Sequence, residues 1–271
     1  LGMDTVVVQY VAYDRFYHYP SSIKGVKPSP DDVIMKILNA ARKFKLKVFL
    51  GLQMEGGFWK GEFDLEKRVG LNTATMNELH QRYGGHSGLG GWYLPEEIDD
   101  QTPGRAYADD LLDYLGRLSE RAKELSKHPV LISPFFSKDV DIQAYAQWWH
   151  ETALPKINVD IVAMQDGVGT HRVSLESLRA VYSRLAPIFR RHDVKFWSNV
   201  EVFDQIAGWP VNEQAWAARP AQHQRVGKQC ESTAPFVSKI IVFEYSQYMD
   251  PASSPQAAKL YDSFLKKMRQ D

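Results

Sequence analysis

The residues that could do chemistry in this chain gather where short apolar runs end. Gly91-Trp92-Tyr93-Leu94 leads into Pro95-Glu96-Glu97-Ile98-Asp99, and Met164 leads into Gln165-Asp166-Gly167. Phe196-Trp197-Ser198-Asn199-Val200 ends on Glu201, and Phe243 is followed by Glu244-Tyr245-Ser246-Gln247-Tyr248. Successive strand residues point to opposite sides, so Trp197, Asn199 and Glu201 share one face, while Phe196, Ser198, Val200 and Val202 share the other. The second set suits packing beneath helices. The first is polar, and a buried carboxylate needs partners or a task. Glu97 falls on the side of Tyr93, with Glu96 alternating. Two carboxylates facing each other across one barrel are what glycosidic cleavage needs. One protonates the departing oxygen and the other attacks the anomeric carbon or activates a water, about 5–5.5 Å apart for retention and wider for inversion. A salt-bridged structural role is the plain reading of either glutamate alone. The coincidence of two strand ends favours a working pair.

Those side chains need a scaffold, and the chain spells one out. Apolar runs at Thr5–Tyr10, Lys47–Gln53, Gly90–Leu94, Val130–Pro134, Ile161–Gln165, Lys195–Val200 and Lys239–Phe243 alternate with amphipathic stretches. That alternation is the mark of a parallel α/β fold. Ser29-Pro30-Asp31-Asp32 reads as a helix start with Ser29 as N-cap, before the stripe Val33, Ile34, Ile37, Leu38, Ala41, Phe44. Leu111 to Leu125 and Leu175 to Ile188 carry two further stripes. Asp141–Ala153 and Gln256–Met268 are also expected to be helical. The links before strands are short and those after strands are long, as in Val11–Ser29, Met54–Glu62, Asp166–Val173 and Val202–Asn212. This puts the functional surface at the strand C-termini of a (β/α)8, or TIM, barrel. Seven runs are one short of eight. Leu1-Gly2-Met3-Asp4 reads as a helix end, a glycine stop and a new strand, so the first strand and most of the first helix are expected to lie upstream, making the visible strands numbers two to eight.

Composition narrows the partners. Lysine plus arginine equals aspartate plus glutamate at 33 each, which gives no footprint for a nucleic acid or an anionic membrane. No apolar run approaches the ~20 residues of a membrane span. Cys230 is a lone cysteine, read as a small helix residue, and it precludes an internal disulfide framework. The 8 histidines show neither His-x-His nor His-Glu-x-x-His spacing, so no metal ligand set is read from them. No phosphate-cradling glycine loop follows a strand, and no cofactor is called for. Nothing along the 271 residues looks like a linker, so one barrel domain over 1–271 is expected.

Four segments make a resemblance specific: 91–99, Gln165-Asp166-Gly167-Val168-Gly169, Trp197-Ser198-Asn199-Val200-Glu201-Val202-Phe203 and Tyr245-Ser246-Gln247-Tyr248-Met249-Asp250-Pro251. Together they resemble a bacterial barrel family known as domain of unknown function 4434, regarded as glycoside-hydrolase-like. The opening Leu1 to Gln9 resembles that family's second strand, and the likeness covers nearly the whole chain. By placement Glu97 and Glu201 resemble the acid/base and the nucleophile of the clan A retaining glycosidases. Where clan A enzymes usually carry Asn-Glu, this chain has Glu96-Glu97. Either glutamate could be the acid, and inward parity favours Glu97.

The expectation is therefore a two-glutamate hydrolase of an oligo- or polysaccharide, monomeric and working outside the cytoplasm, where polymeric glycans lie. Glu97, with its pKa raised by burial or by Glu96, would be the acid/base, and Glu201 the ionised nucleophile. Gln9, Gln53, Tyr93, Glu96, Asp99, Gln165, Asp166, Asn199 and Tyr245 are the candidates for binding sugar. Trp59, Trp197, Trp209 and Phe136 are candidate stacking platforms. Glu244 is the reserve carboxylate. A non-catalytic carbohydrate-binding barrel and a metal-assisted hydrolase are the alternatives.

Overall fold

The computed structural model describes residues 2–268. Seven parallel strands follow one another around a nearly closed barrel in chain order. They are β1 (Thr5–Val8), β2 (Lys47–Gly51), β3 (Leu89–Leu94), β4 (Val130–Ile132), β5 (Ile161–Gln165), β6 (Lys195–Glu201) and β7 (Lys239–Phe243). Leu1, read above as the last residue of a preceding helix, lies outside the described residues. The two edge strands, β1 and β7, are half-buried along their whole length. Across the seam between them Lys239 Nζ donates to Asp4 Oδ1 and to Thr5 Oγ1, both at 2.8 Å.

Alternation along each strand separates two apolar layers. Inside the barrel, Phe49, Tyr93, Leu131, Ile161, Ala163 and Trp197 form one cluster, with Val7 and Ile241 against it. Gly91 makes this plug possible, because a Cβ there would stand 2.2 Å from the Phe49 ring. Between sheet and helices, Val48, Leu50, Trp92, Leu94, Val130, Val162 and Phe196 meet the apolar stripes of the helices. The inner layer fills the lower barrel, so only groups at the C-terminal ends of the strands can meet solvent.

The helices are α1 (Val33–Lys43), α2 (Leu65–Tyr83), α3 (Ala108–Leu125), α4 (Ile142–Trp148), α5 (Leu178–Arg191), α6 (His223–Thr233) and α7 (Pro255–Met268). A widened turn over Trp149–Ala153 carries α4 on to Leu154–Ile157. The cap of α1 is Asp32 rather than Ser29. Its Oδ1 accepts the Met35 N–H at 2.8 Å and the Tyr83 hydroxyl at 2.9 Å, whereas Ser29 closes a small turn by accepting from Asp31 N. An aspartate that also ties two helices together outcompetes a serine for the cap.

The α2 helix has no simple apolar stripe because its inward face mixes polar groups with Val69, Met76 and Leu79. Asn72 accepts from Gln53 N and donates to Gln53 O and Tyr114 Oη, and Glu78 accepts from Tyr19, Ser21 and Ser22. The long connections are ordered. Ala12–Tyr13, Phe16–Tyr17, Lys27–Pro28 and Gln53–Met54 pair as a small sheet, and Phe203–Ala207 forms a hairpin with Ala217–Pro220. No helix among the described residues is long and apolar enough to cross a membrane.

Candidate active site

A cavity of about 870 Å³ opens at the C-terminal ends of β3 to β6. Glu97, just beyond β3, and Glu201, the last residue of β6, both line it, as do Trp59, Asp99, Phe136, Gln165 and Trp209. In strand order β3 and β6 are three places apart, so the two glutamates rise from opposite sides of the barrel. Trp59 and Trp209 are more than half exposed on its wall. Such faces can stack on sugar rings.

Glu97 is half-buried and accepts one hydrogen bond, from Gln165 Nε2 at 2.8 Å. Gln165 also donates to Ser133 O at 2.7 Å, which fixes the amide orientation. Burial is the main force on the Glu97 carboxyl and raises it to about 7, against the Gln165 hydrogen bond and the positive field of Arg172.

Glu201 is 4% exposed and accepts Thr170 N–H at its Oε2, 2.8 Å away, with the Thr170 hydroxyl at 3.3 Å. The loop after β5 approaches this closely because residue 169 has no side chain. A Cβ on Gly169 would lie 2.4 Å from Phe203 O and 2.9 Å from Glu201 Cβ. Gly169→Ala is therefore expected to cost about 1–3 kcal/mol of stability, read from melting curves.

Beneath Glu201 lies Asp166, fully buried. It accepts from Gln229 Nε2 at 2.5 Å, from Val168 N at 3.2 Å and from Glu201 N at 3.3 Å. Burial first, and then the negative charge of Asp166, push the Glu201 carboxyl well above the usual carboxylate range. Burial raises the Asp166 carboxyl as well, and its hydrogen bonds from Gln229, Val168 and Glu201 N offset part of that desolvation.

Asp99 and Glu96, the acids on either side of Glu97 and Ile98, carry ion pairs. Asp99 Oδ2 holds Arg105 Nη2 at 2.5 Å while its Oδ1 accepts from Thr102, so its carboxylate is fully engaged although it borders the cavity. Glu96 points the other way from Glu97, into the layer beneath α2 and α3. There it meets Arg68 at 3.4 Å and the Tyr114 hydroxyl, with both charges shielded from solvent. Removing one half of such a pair strands the other charge. Arg68→Ala should lower stability by about 3–5 kcal/mol, measured by denaturant unfolding, and Arg68→Ala with Glu96→Leu should recover much of it.

Other candidates are kept out of the cavity. Tyr93 and Trp197 belong to the barrel plug. Asn199 donates to Ser133 Oγ at 3.0 Å below the cavity floor, and Asp166 lies behind Glu201. Gln53 is buried against Asn72 and donates to Asp14 O at 2.9 Å. Gln9 and Tyr245 are exposed elsewhere, and Glu244 is half-buried and accepts from Ser246 Oγ at 2.9 Å. The sequence reading passed over Thr170, His171 and Arg172, which line the cavity from the loop after β5, and Phe58, Tyr107 and Phe135 beside them. Gly167-Val168-Gly169 at a strand end was the available signal, since two glycines so close together mark a tight approach.

The profile of the family described as Domain of unknown function (DUF4434) matches residues 1–259. "Uncharacterized protein YbcH" of Escherichia coli (strain K12) is 26% identical over 182 residues, which are 65% of this chain and 58% of that protein. The chain thus spans less than two thirds of that curated relative. A solved protein from Bacteroides thetaiotaomicron, described as a candidate alpha-L-fucosidase, is 25% identical with a TM-score of 0.83, over 98% of this chain and 84% of that one. The GH113 beta-mannanase AaManA of Alicyclobacillus acidocaldarius superposes with a TM-score of 0.55 at 11% identity, over 97% and 85% of the two chains. A GH18 chitinase of Pseudoalteromonas aurantia does so at 0.57 and 11%, over 96% and 92%. The barrel is the fold of TIM-barrel glycosidases.

Proposed function

This chain belongs to the family described as Domain of unknown function (DUF4434), and we propose that it is a glycoside hydrolase that cleaves an oligo- or polysaccharide with Glu97 and Glu201. One observation carries the reading. Glu97 and Glu201 border one cavity from opposite sides, and among the described residues neither has an ion pair, while Glu96 and Asp99 beside them do. Glu96 and Asp99 are neutralised by arginine, whereas Glu97 and Glu201 are held by the neutral donors Gln165 and Thr170 and face the cavity. A carboxyl left in that state can exchange a proton or attack carbon.

In the proposed mechanism Glu97, with its carboxyl near neutrality, donates a proton to the departing oxygen and later takes one from water. Glu201, in its ionised form, attacks the anomeric carbon, with retention of configuration. Gln165 orients Glu97, Thr170 orients Glu201, and Trp59 and Trp209 offer platforms to the flanking sugars. A polymeric glycan places the site of action outside the cytoplasm.

The test is release of reducing ends from a panel of polysaccharides and aryl glycosides, an alpha-L-fucoside among them, by the wild type and by the Glu97→Gln, Glu201→Gln double variant. Release by the wild type alone supports the reading, and NMR of the first-formed anomer decides retention. Sugar binding without turnover across the panel would leave a carbohydrate-binding barrel instead.

A further inference from the structure

We propose that the cavity takes an acidic sugar, bearing a uronate carboxylate or a sulfate ester, and that the guanidinium of Arg172 is the group that holds it. The inference rests on the reading that a sugar occupies this cavity.

Arg172 lines the cavity beside Glu97 and Glu201. Its guanidinium lies over two aromatic rings, 5.3 Å from the Phe135 centroid and 5.0 Å from that of Trp209. Ring contacts hold a guanidinium in place through its face and leave its N–H edge unused. Among the described residues that edge is unused indeed. Arg172 makes no ion pair, and its Nε is shielded from solvent with no hydrogen-bond partner. The other cavity arginine is fully employed, since Arg105 donates to Asp99 and Tyr107.

A shielded donor without an acceptor is costly, and an acceptor supplied by a ligand removes that cost. The planar fork of N–H groups fits the paired oxygens of a carboxylate or the oxygens of a sulfate, in bonds about twice as strong as neutral ones. Of the cavity's acids, Asp99 and Asp100 are engaged by other groups, and Asp139 is exposed next to Lys138 in the chain. Asp99 is neutralised by Arg105, and Asp100 accepts from Ser137 N and Oγ. A negative charge seated on Arg172 would also favour the protonated form of Glu97, which the Arg172 field otherwise opposes. Substrate charge and acid catalysis then reinforce each other.

The experiment is an NMR titration of the wild type, Arg172→Met and Arg172→Lys, each with its melting temperature recorded. The probes are glucuronate, galacturonate and mannuronate, the corresponding 6-sulfates, and glucose, galactose and mannose. At least one anionic sugar should bind the wild type about tenfold or more tightly than its neutral counterpart. That preference should vanish in Arg172→Met and survive in part in Arg172→Lys. The uronate and sulfate arms tell the two anions apart.

No anionic preference in any pair overturns the proposal, as does a preference that persists in a normally melting Arg172→Met. Should Arg172→Met melt low, Arg172→Lys decides, because a lysine point charge must bind the carboxylate more weakly than the wild-type fork. The readout needs no turnover. Anionic preference with no hydrolysis of any glycan would discard the hydrolase reading and keep this one. Hydrolysis of neutral glycans without anionic preference would do the reverse.

Discussion

Glu97→Gln and Glu201→Gln are each expected to lower turnover by about 10²- to 10⁴-fold, the usual worth of a positioned proton donor or of its partner. The double variant should fall little further, since groups that act as a unit are not additive. Both amides preserve shape, so the substitutions test charge and proton exchange rather than packing. Gln165 can still donate to the amide oxygen at 97, and Thr170 to that at 201. Stability should move the opposite way. The folded value of Glu97, about 7, stands above its ordinary 4.5. Between those values the native state binds more protons than the unfolded chain, so wild-type stability present at low pH is lost as pH rises through about 7. Glutamine carries no such loss. Glu97→Gln should therefore melt higher than the wild type at pH 8, by a gain on the order of 1 kcal/mol or about 2–4 °C, and no higher at pH 4. Full activity in both single variants would end the two-glutamate mechanism. Lost activity with a collapsed melting temperature would make the pair structural.

Asp166→Asn should move the limb of the kcat/KM profile that Glu201 sets to lower pH, by about one unit, and leave the limb set by Glu97 in place, because a like charge beneath Glu201 is removed. Asparagine keeps an oxygen for the Val168 and Glu201 N–H groups, which both bond Asp166 Oδ1, but its amide nitrogen takes the place of Oδ2 and faces Gln229 Nε2, so Gln229 must turn away and a melting curve accompanies the profile. Glu201 then loses its proton more readily. If Glu201 must be ionised to attack, the productive fraction at the optimum is maintained or rises. Collapse of the optimum with unchanged melting would assign the proton-donor role to Glu201 and the attacking role to Glu97. A bell that stays in place would show that Asp166 has no hold on Glu201. The full profile is the measurement, since one pH cannot separate a shift from a change in height.

The scaffold was legible because hydrophobic periodicity is a local property. All seven strands lie where the apolar runs put them, with ends moved by at most two residues, and the one-sided loop lengths put the cavity at the strand C-termini. Strand parity also sent Trp197, Asn199 and Glu201 to the inner side of β6. It could not say how deep each would lie. Trp197 is barrel plug, Asn199 is buried against Ser133 outside the cavity lining and Glu201 reaches the cavity, at successive steps of the same alternation. The α2 helix escaped notice because its buried face carries Arg68, Asn72 and Glu78. These satisfy partners from distant parts of the chain, which no local pattern announces.

By itself the sequence determined the strand-helix alternation, the inward parity of residues 97 and 201, and the glycines beside Asp166, all consequences of chemistry within a few residues. The tertiary structure decided which acids are neutralised and which are not. Arg68 reaches Glu96 and Arg105 reaches Asp99, while Asp166 sits under Glu201 and Arg172 is left over two rings with its N–H edge free. The state of a carboxyl depends on burial and on charges a few ångströms away, and those neighbours are brought together only by the folded chain.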